Sequence, residues 1–162
     1  MSAFDECFRV VLREEGGLTD DPRDPGGLTK YGISKRAYPN VDIASLTEAQ
    51  AKAIYERDYW RPVRCHEVPP ALALCLFDAA VNMGTGTAVK LLQRALKLTE
   101  DGKFGAGTMA AVKAARMDDL IGRFMGARAI YYTQLKTFEA FGRGWIIRLF
   151  RVTQDAARLA AR

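Results

Sequence analysis

Residues 71–84 read Ala71-Leu72-Ala73-Leu74-Cys75-Leu76-Phe77-Asp78-Ala79-Ala80-Val81-Asn82-Met83-Gly84, ALALCLFDAAVNMG. From Ala71 to Met83 every residue but Asp78 and Asn82 is apolar. The run is well short of the ~20 apolar residues a bilayer requires, so it reads as a central helix buried on all sides rather than a membrane span. Pro69-Pro70 precedes it and Gly84 and Gly86 close it. Asp78 and Asn82 are four residues apart and so share one face of that helix. Burial demands partners for both. One reading makes them a polar clamp bonded to loop backbone; the other makes them direct contacts to a ligand.

Helical patterns extend in both directions from this core element. On the N-terminal side, Phe4, Cys7, Phe8, Val11 and Leu12 follow the i, i+3, i+4, i+7, i+8 spacing of an amphipathic helix, which Gly16-Gly17 stops. Residues 18 to 45, rich in Pro, Gly and Asp, read as loop with room for a short hairpin. Thr47-Glu48-Ala49-Gln50 is a capping box that opens a helix running to about Tyr59, with Ala51, Ile54, Tyr55 and Tyr59 inward. On the C-terminal side, helices are expected at about 87 to 97, 105 to 115 and 118 to 138, with a shorter one from Trp145 onward. Asp101-Gly102-Lys103-Phe104-Gly105 is a turn between two of them. Too few stretches alternate with period two to build a substantial sheet. The fold class is therefore mainly α, with a Gly/Pro/Asp-rich loop laid against the helices.

With 162 residues, 49 % of them hydrophobic, the chain has the size and core of one domain, expected to span 1–162. Cys7, Cys65 and Cys75 are odd in number and lack CxxC spacing, which points to reduced thiols packed as small hydrophobes. The single histidine, His66, reads as a loop residue, and a zinc set does not assemble from it. Asp20, Asp21 and Asp24 lack EF-hand spacing, with Pro22 between them. No metal or other cofactor is expected. The start, Met1-Ser2-Ala3-Phe4-Asp5-Glu6, is acidic where a secretory signal is basic, so synthesis in the cytoplasm without a signal peptide is the expectation. A net charge of +5 favours a polyanionic partner, whether nucleic acid, an anionic membrane surface or a bacterial wall.

The chemistry concentrates in residues 13–34, REEGGLTDDPRDPGGLTKYGIS, which hold five carboxylates, two Pro and five Gly. On a helical wheel Glu15 falls within the stripe of Phe4, Phe8 and Val11, whereas Glu14 lies at its edge. An inward Glu15 is partly desolvated, which favours the protonated carboxyl that a general acid must supply. The alternative is a helix-end residue that escapes to solvent. Tyr131, Tyr132, Phe138, Phe141 and Trp145 suit a sugar-binding cleft, but their helical spacing also suits a core.

The pieces Glu15-Gly16-Gly17, Asp21-Pro22, Asp24-Pro25-Gly26-Gly27, Thr29 and Tyr31-Gly32-Ile33 resemble, in order and spacing, the N-terminal signature of glycoside hydrolase family 108, the lysozyme-like phage endolysins and secretion-associated muramidases. Phe77-Asp78-Ala79-Ala80-Val81-Asn82-Met83-Gly84 resembles that family's FD.AVN.G helix. Leu92-Gln93-Arg94-Ala95-Leu96, Asp101-Gly102 and Gly105-Ala106-Gly107-Thr108 resemble its next helix pair, and Phe141-Gly142-Arg143-Gly144-Trp145-Ile146-Ile147-Arg148 its GW..R element. The resemblance covers about residues 8–150. The chain departs from it at Leu18, where an aromatic is common, and at Ile147, where Asn is common.

The resemblance implies a lysozyme-like α (α+β) fold and a peptidoglycan hydrolase, an N-acetylmuramidase that cleaves the β-1,4 bond between N-acetylmuramic acid and N-acetylglucosamine. Glu15 is its implied catalytic acid. Asp24 and Thr29 are similar to the Asp and Thr that hold the attacking water in the wider phage lysozyme group, although Asp24-Pro25-Gly26-Gly27 also suits a tight turn. Tyr31, Asp78, Asn82 and Trp145 stand as candidate substrate contacts. The expected partner is bacterial peptidoglycan, met by a monomer that neither inserts stably in a membrane nor binds nucleic acid. The wall is reached through a holin or a dedicated secretion route. Two alternatives remain: a non-catalytic wall-binding module, against which the presence of Glu15 argues, and a basic nucleic-acid-binding protein, against which the lack of a helix-turn-helix or RNP pattern argues.

Overall fold

A computed structural model describes residues 2–16 and 27–162. The chain divides into two units, Met1–Asp58 and Tyr59–Arg162. The N-terminal unit opens with α1 (Ala3–Glu15). Ser2 caps it through a reciprocal box, its Oγ accepting from Asp5 N at 3.1 Å while Asp5 Oδ2 accepts from Ser2 N at 3.0 Å. Phe4, Cys7, Phe8 and Val11 are buried, the stripe read from the sequence. Gly16 ends the helix with φ +79, and its N–H bonds Leu12 O at 3.2 Å.

The loop expected to hold a short hairpin does so. Strands β1 (Thr29–Lys30) and β2 (Ile33–Ser34) pair antiparallel, with Thr29 opposite Ser34 and Lys30 opposite Ile33. The two residues between them, Tyr31 and Gly32, both have positive φ, +53 and +74. That is the type I′ turn whose twist suits a two-residue hairpin. Helix α2 (Glu48–Tyr55) starts at Thr47 with the capping box predicted from the sequence. It does not continue as an α-helix to Tyr59. Glu56–Trp60 is π-helical, and the wider turn shifts the inward phase, so Trp60 is buried and Tyr59 only half-buried.

The C-terminal unit is helical throughout its regular structure: α3 (Pro70–Met83), α4 (Thr85–Ala95), α5 (Ala106–Ala114), α6 (Met117–Thr133) and α7 (Phe138–Ala160), preceded by a 3₁₀ turn at Cys65–Glu67. Ten consecutive residues of α3, Ala71–Ala80, are buried, as an apolar run with no polar face requires. Helix α3 packs against α4, α6 and α7. Gln93, 2 % exposed, secures the turn after α4: its Nε2 donates to Asp101 Oδ1 at 2.7 Å and Lys103 O at 3.0 Å, and its Oε1 accepts from Gly102 N at 2.9 Å.

Helix α7 corrects the expectation of a short helix from Trp145. It begins at Phe138 and is 23 residues long, while α6 ends at Thr133. Gly142 acts there as a packing residue and not as a breaker, since a Cβ at that position would lie 2.4 Å from the Phe138 ring. Cys7, Cys65 and Cys75 are all free and buried, and burial pushes the Cys75 thiol up to about 12. His66 is exposed beside Glu67, 3.3 Å away. No helix among the described residues is long and apolar enough to cross a membrane.

Candidate active site

In the N-terminal unit, Glu15 is the last residue of α1 and is half-buried. Its neighbour Glu14, placed at the edge of the wheel, has a side chain only 6 % exposed and bonds the exposed Arg13 at 3.1 Å. Both glutamates sit at the carbonyl end of the helix, where the dipole opposes negative charge. Helix stability alone therefore does not select for them there.

The hairpin turn approaches Glu15 closely. A Cβ built on Gly32 would lie 2.4 Å from the Tyr55 hydroxyl oxygen, 2.8 Å from Glu15 Cβ and 3.0 Å from Glu15 Oε2. The turn, the carboxyl group and the tyrosine thus converge on one point. Tyr55, 1 % exposed, donates its hydroxyl to Tyr31 O at 2.8 Å and meets the Phe8 ring edge-on at 5.5 Å. Thr29 donates its hydroxyl to Gly27 O at 3.2 Å, leaving the oxygen's lone pairs as acceptors. Tyr31 is half-buried, with Lys30 Nζ 5.6 Å from its ring centroid. Asp24, together with Asp20 and Asp21, lies outside the described residues.

In the C-terminal unit, Asp78 is 0 % exposed and has no surface to offer a ligand. Its partners are helix side chains and not the loop backbone expected of the clamp. Arg128 Nη2 donates to Asp78 Oδ2 at 2.7 Å, and Arg148 Nε donates to Oδ1 at 2.9 Å. Arg128 also reaches Cys75 O at 3.3 Å and the Tyr132 hydroxyl at 3.2 Å, and Tyr132 donates to Asn82 Oδ1 at 2.5 Å. Arg128 Nε is buried with no hydrogen-bond partner among the described residues. Burial disfavours the Arg128 charge, but Asp78 and Tyr132 together outweigh it and hold the guanidinium above its usual range. Burial also pushes the Tyr132 hydroxyl up.

Trp145 is half-buried and stacks on Tyr132, ring centroids 5.1 Å apart at 23°. Phe141 lies 6.0 Å from Trp145 and is 59 % exposed, so the aromatic set is part core and part surface. Sequence reasoning missed Gly32 and Tyr55 as neighbours of Glu15 and Arg128 as a partner of Asp78. Tyr55 carried one usable signal: a tyrosine on the inward face of α2 needs a partner for its hydroxyl.

The sequence profile of the glycosyl hydrolase 108 family matches residues 8–84, and one described as "Predicted Peptidoglycan domain" matches residues 87–150. Among solved structures, that of Brucella abortus SagA is similar at 33 % identity and a TM-score of 0.89, over 98 % of this chain and 96 % of that one. No curated protein sequence matches. The chain belongs to the lysozyme-like glycosyl hydrolase 108 family. Its function is accordingly peptidoglycan-related and lysozyme-like.

Proposed function

We propose that the protein is an N-acetylmuramidase that cleaves the β-1,4 bond between N-acetylmuramic acid and N-acetylglucosamine, with Glu15 as general acid. The observation that carries this reading is the seating of Glu15: a half-buried carboxyl group at a helix end, against the Tyr31–Gly32 turn. Glu15 donates its proton to the glycosidic oxygen as the bond to C1 breaks, through an oxocarbenium-like transition state. Water then adds at C1 and gives its proton to the Asp24 carboxylate. Asp24 and Thr29 hold that water, Thr29 through the lone pairs left once its own proton goes to Gly27 O. Tyr31, in the same unit as Glu15, supplies a contact to the sugars. In the C-terminal unit Asp78 holds Arg128, which bonds Tyr132, which donates to Asn82. The place of action is the bacterial wall, reached from the cytoplasm by a holin or a secretion route. The net charge of +5 draws the enzyme to the wall's anionic polymers.

The test is digestion of purified peptidoglycan by wild type and Glu15→Gln, with the new reducing ends identified after borohydride reduction. Reduced muramic acid from the wild type and none from the variant is the expected result. Reduced glucosamine from the wild type would assign the other glycosidic bond, and clearing by the variant would remove Glu15 from the acid's role.

A further inference from the structure

We propose that Gly32 and Tyr55 form the seat that sets the position of the Glu15 carboxyl group, and so act as positioning residues for the acid. The inference rests on the assignment of Glu15 as the acid. Backbone conformation already favours glycine at position 32, since φ +74 strains an L side chain there. Space adds a second and sharper demand. A Cβ there would come within 3.0 Å of the Tyr55 hydroxyl, Glu15 Cβ and Glu15 Oε2 alike, closer than side chains pack.

Tyr55 fastens this arrangement from the other side. Its hydroxyl holds the turn through Tyr31 O at 2.8 Å, and its ring rests on Phe8 of α1, the helix that carries Glu15. Glu15 is the last residue of α1, and Gly16 leaves the helix at φ +79, so no following turn of helix supports its side chain. The bare α-carbon of Gly32 and the hydroxyl beside it limit where that side chain can lie. Displacing a catalytic group by ~1 Å costs on the order of a hundredfold in rate. The glycine and the tyrosine therefore act on turnover without touching the reacting sugar.

The experiment measures kcat, KM and melting temperature on solubilised glycan strands for Gly32→Ala, Tyr55→Phe and the double variant, with Glu15→Gln as the reference for a lost acid. Gly32→Ala is expected to lower kcat about thirtyfold or more with KM within about threefold. Tyr55→Phe keeps the ring on Phe8 and removes only the anchor, so its kcat falls about tenfold. In the double variant the lost hydroxyl makes room for the new methyl, and the melting temperature recovers part of what Gly32→Ala lost. Its kcat stays low, because the methyl still meets Glu15. A purely structural role would tie kcat to stability, so recovery of both together in the double variant would overturn the proposal. Near-normal kcat in folded Gly32→Ala or in Tyr55→Phe, with Glu15→Gln inactive, would overturn it too. An active Glu15→Gln would overturn the acid assignment, a separate result.

Discussion

Asp78 and Glu15 are both carboxylates on helices with apolar faces, yet each is held in a different way. Asp78 is fully enclosed in the C-terminal unit, and two guanidinium groups occupy its two oxygens at 2.7 and 2.9 Å. Glu15, in the N-terminal unit, is half-buried at a helix end and rests against a glycine turn. The Asp78 oxygens are taken up by charge-assisted bonds inside the core, whereas Glu15 keeps part of its surface open to solvent. The same residue class thus provides structure in one unit and, on the function proposed above, the acid in the other. Burial by itself does not mark a catalytic group.

The sharpest way to break this contrast is Asp78→Ala, which strands Arg128 and Arg148 without their counter-charge. Removing one partner of a buried ion pair costs about 3 to 5 kcal/mol. In a chain of this size that is a fall in melting temperature of about 10 °C. Calorimetry checks it, and activity per folded molecule measured well below the transition is expected to change far less. A small thermal shift with lost turnover would place Asp78 in the chemistry and erase the difference between the two regions.

Glu15→Gln asks the complementary question. The amide keeps the shape and removes the proton, so lysis is expected to fall about a hundredfold or more, equivalent to about 2.7 kcal/mol in the barrier, with the melting temperature unchanged. Glu14→Gln is the control. Its side chain is only 6 % exposed, so some loss of stability is expected, with normal lysis per folded molecule. Turbidity clearing and thermal melts of the two variants side by side decide between them.

How far the sequence disclosed this division differs between the two units. The helix stripe of α1, the Thr47 capping box and the buried run of α3 were all legible, because each is a local pattern with a fixed period or offset. The resemblance supplied Glu15 as the acid. The seat around it was not legible, since the closeness of Gly32 to Glu15 and Tyr55 is set by tertiary packing across 17 and 23 positions of chain. Arg128 was missed for a similar reason. Its partner Asp78 lies 50 positions away, and a buried arginine inside an amphipathic stretch leaves no periodic trace. The π-helical shift at Glu56–Trp60 and the start of α7 at Phe138 were misjudged because local propensity does not register an added residue per turn or a glycine used for packing.

A smaller effect is expected from the pair proposed to hold the water. Asp24→Asn is expected to lower lysis about tenfold or more with little change in melting temperature, and Thr29→Val to lower it less, since a hydroxyl that orients water contributes less than a carboxylate that accepts its proton. Asn caps a turn nearly as well as Asp. Near-normal lysis by Asp24→Asn would therefore leave Glu15 as the only carboxylate contrasted with Asp78 on chemical grounds.

The smallest expected effect sharpens the comparison from its exposed side. Asp5 is also a carboxylate paired with a cation, Lys52, but at the surface of the N-terminal unit. The hydrogen bond from Lys52, then those from Ser2, hold the Asp5 carboxyl well below its ordinary value of 3.8. A depressed folded-state value contributes stability that is fully present above 3.8 and is lost as pH falls below it. Melting temperatures taken from about pH 6 down to about pH 2 are therefore expected to fall more gently in Lys52→Met than in wild type. Because the pair is solvated, about 0.5 M salt should remove most of that difference. The same salt should leave the cost of Asp78→Ala intact, since that carboxylate and Arg128 are shielded from counter-ions. If salt relieves both equally, the Asp78 cluster is open to solvent and its contrast with the surface pair does not hold. If Lys52→Met melts with an unchanged pH slope, Asp5 draws its stabilisation from the Ser2 cap alone.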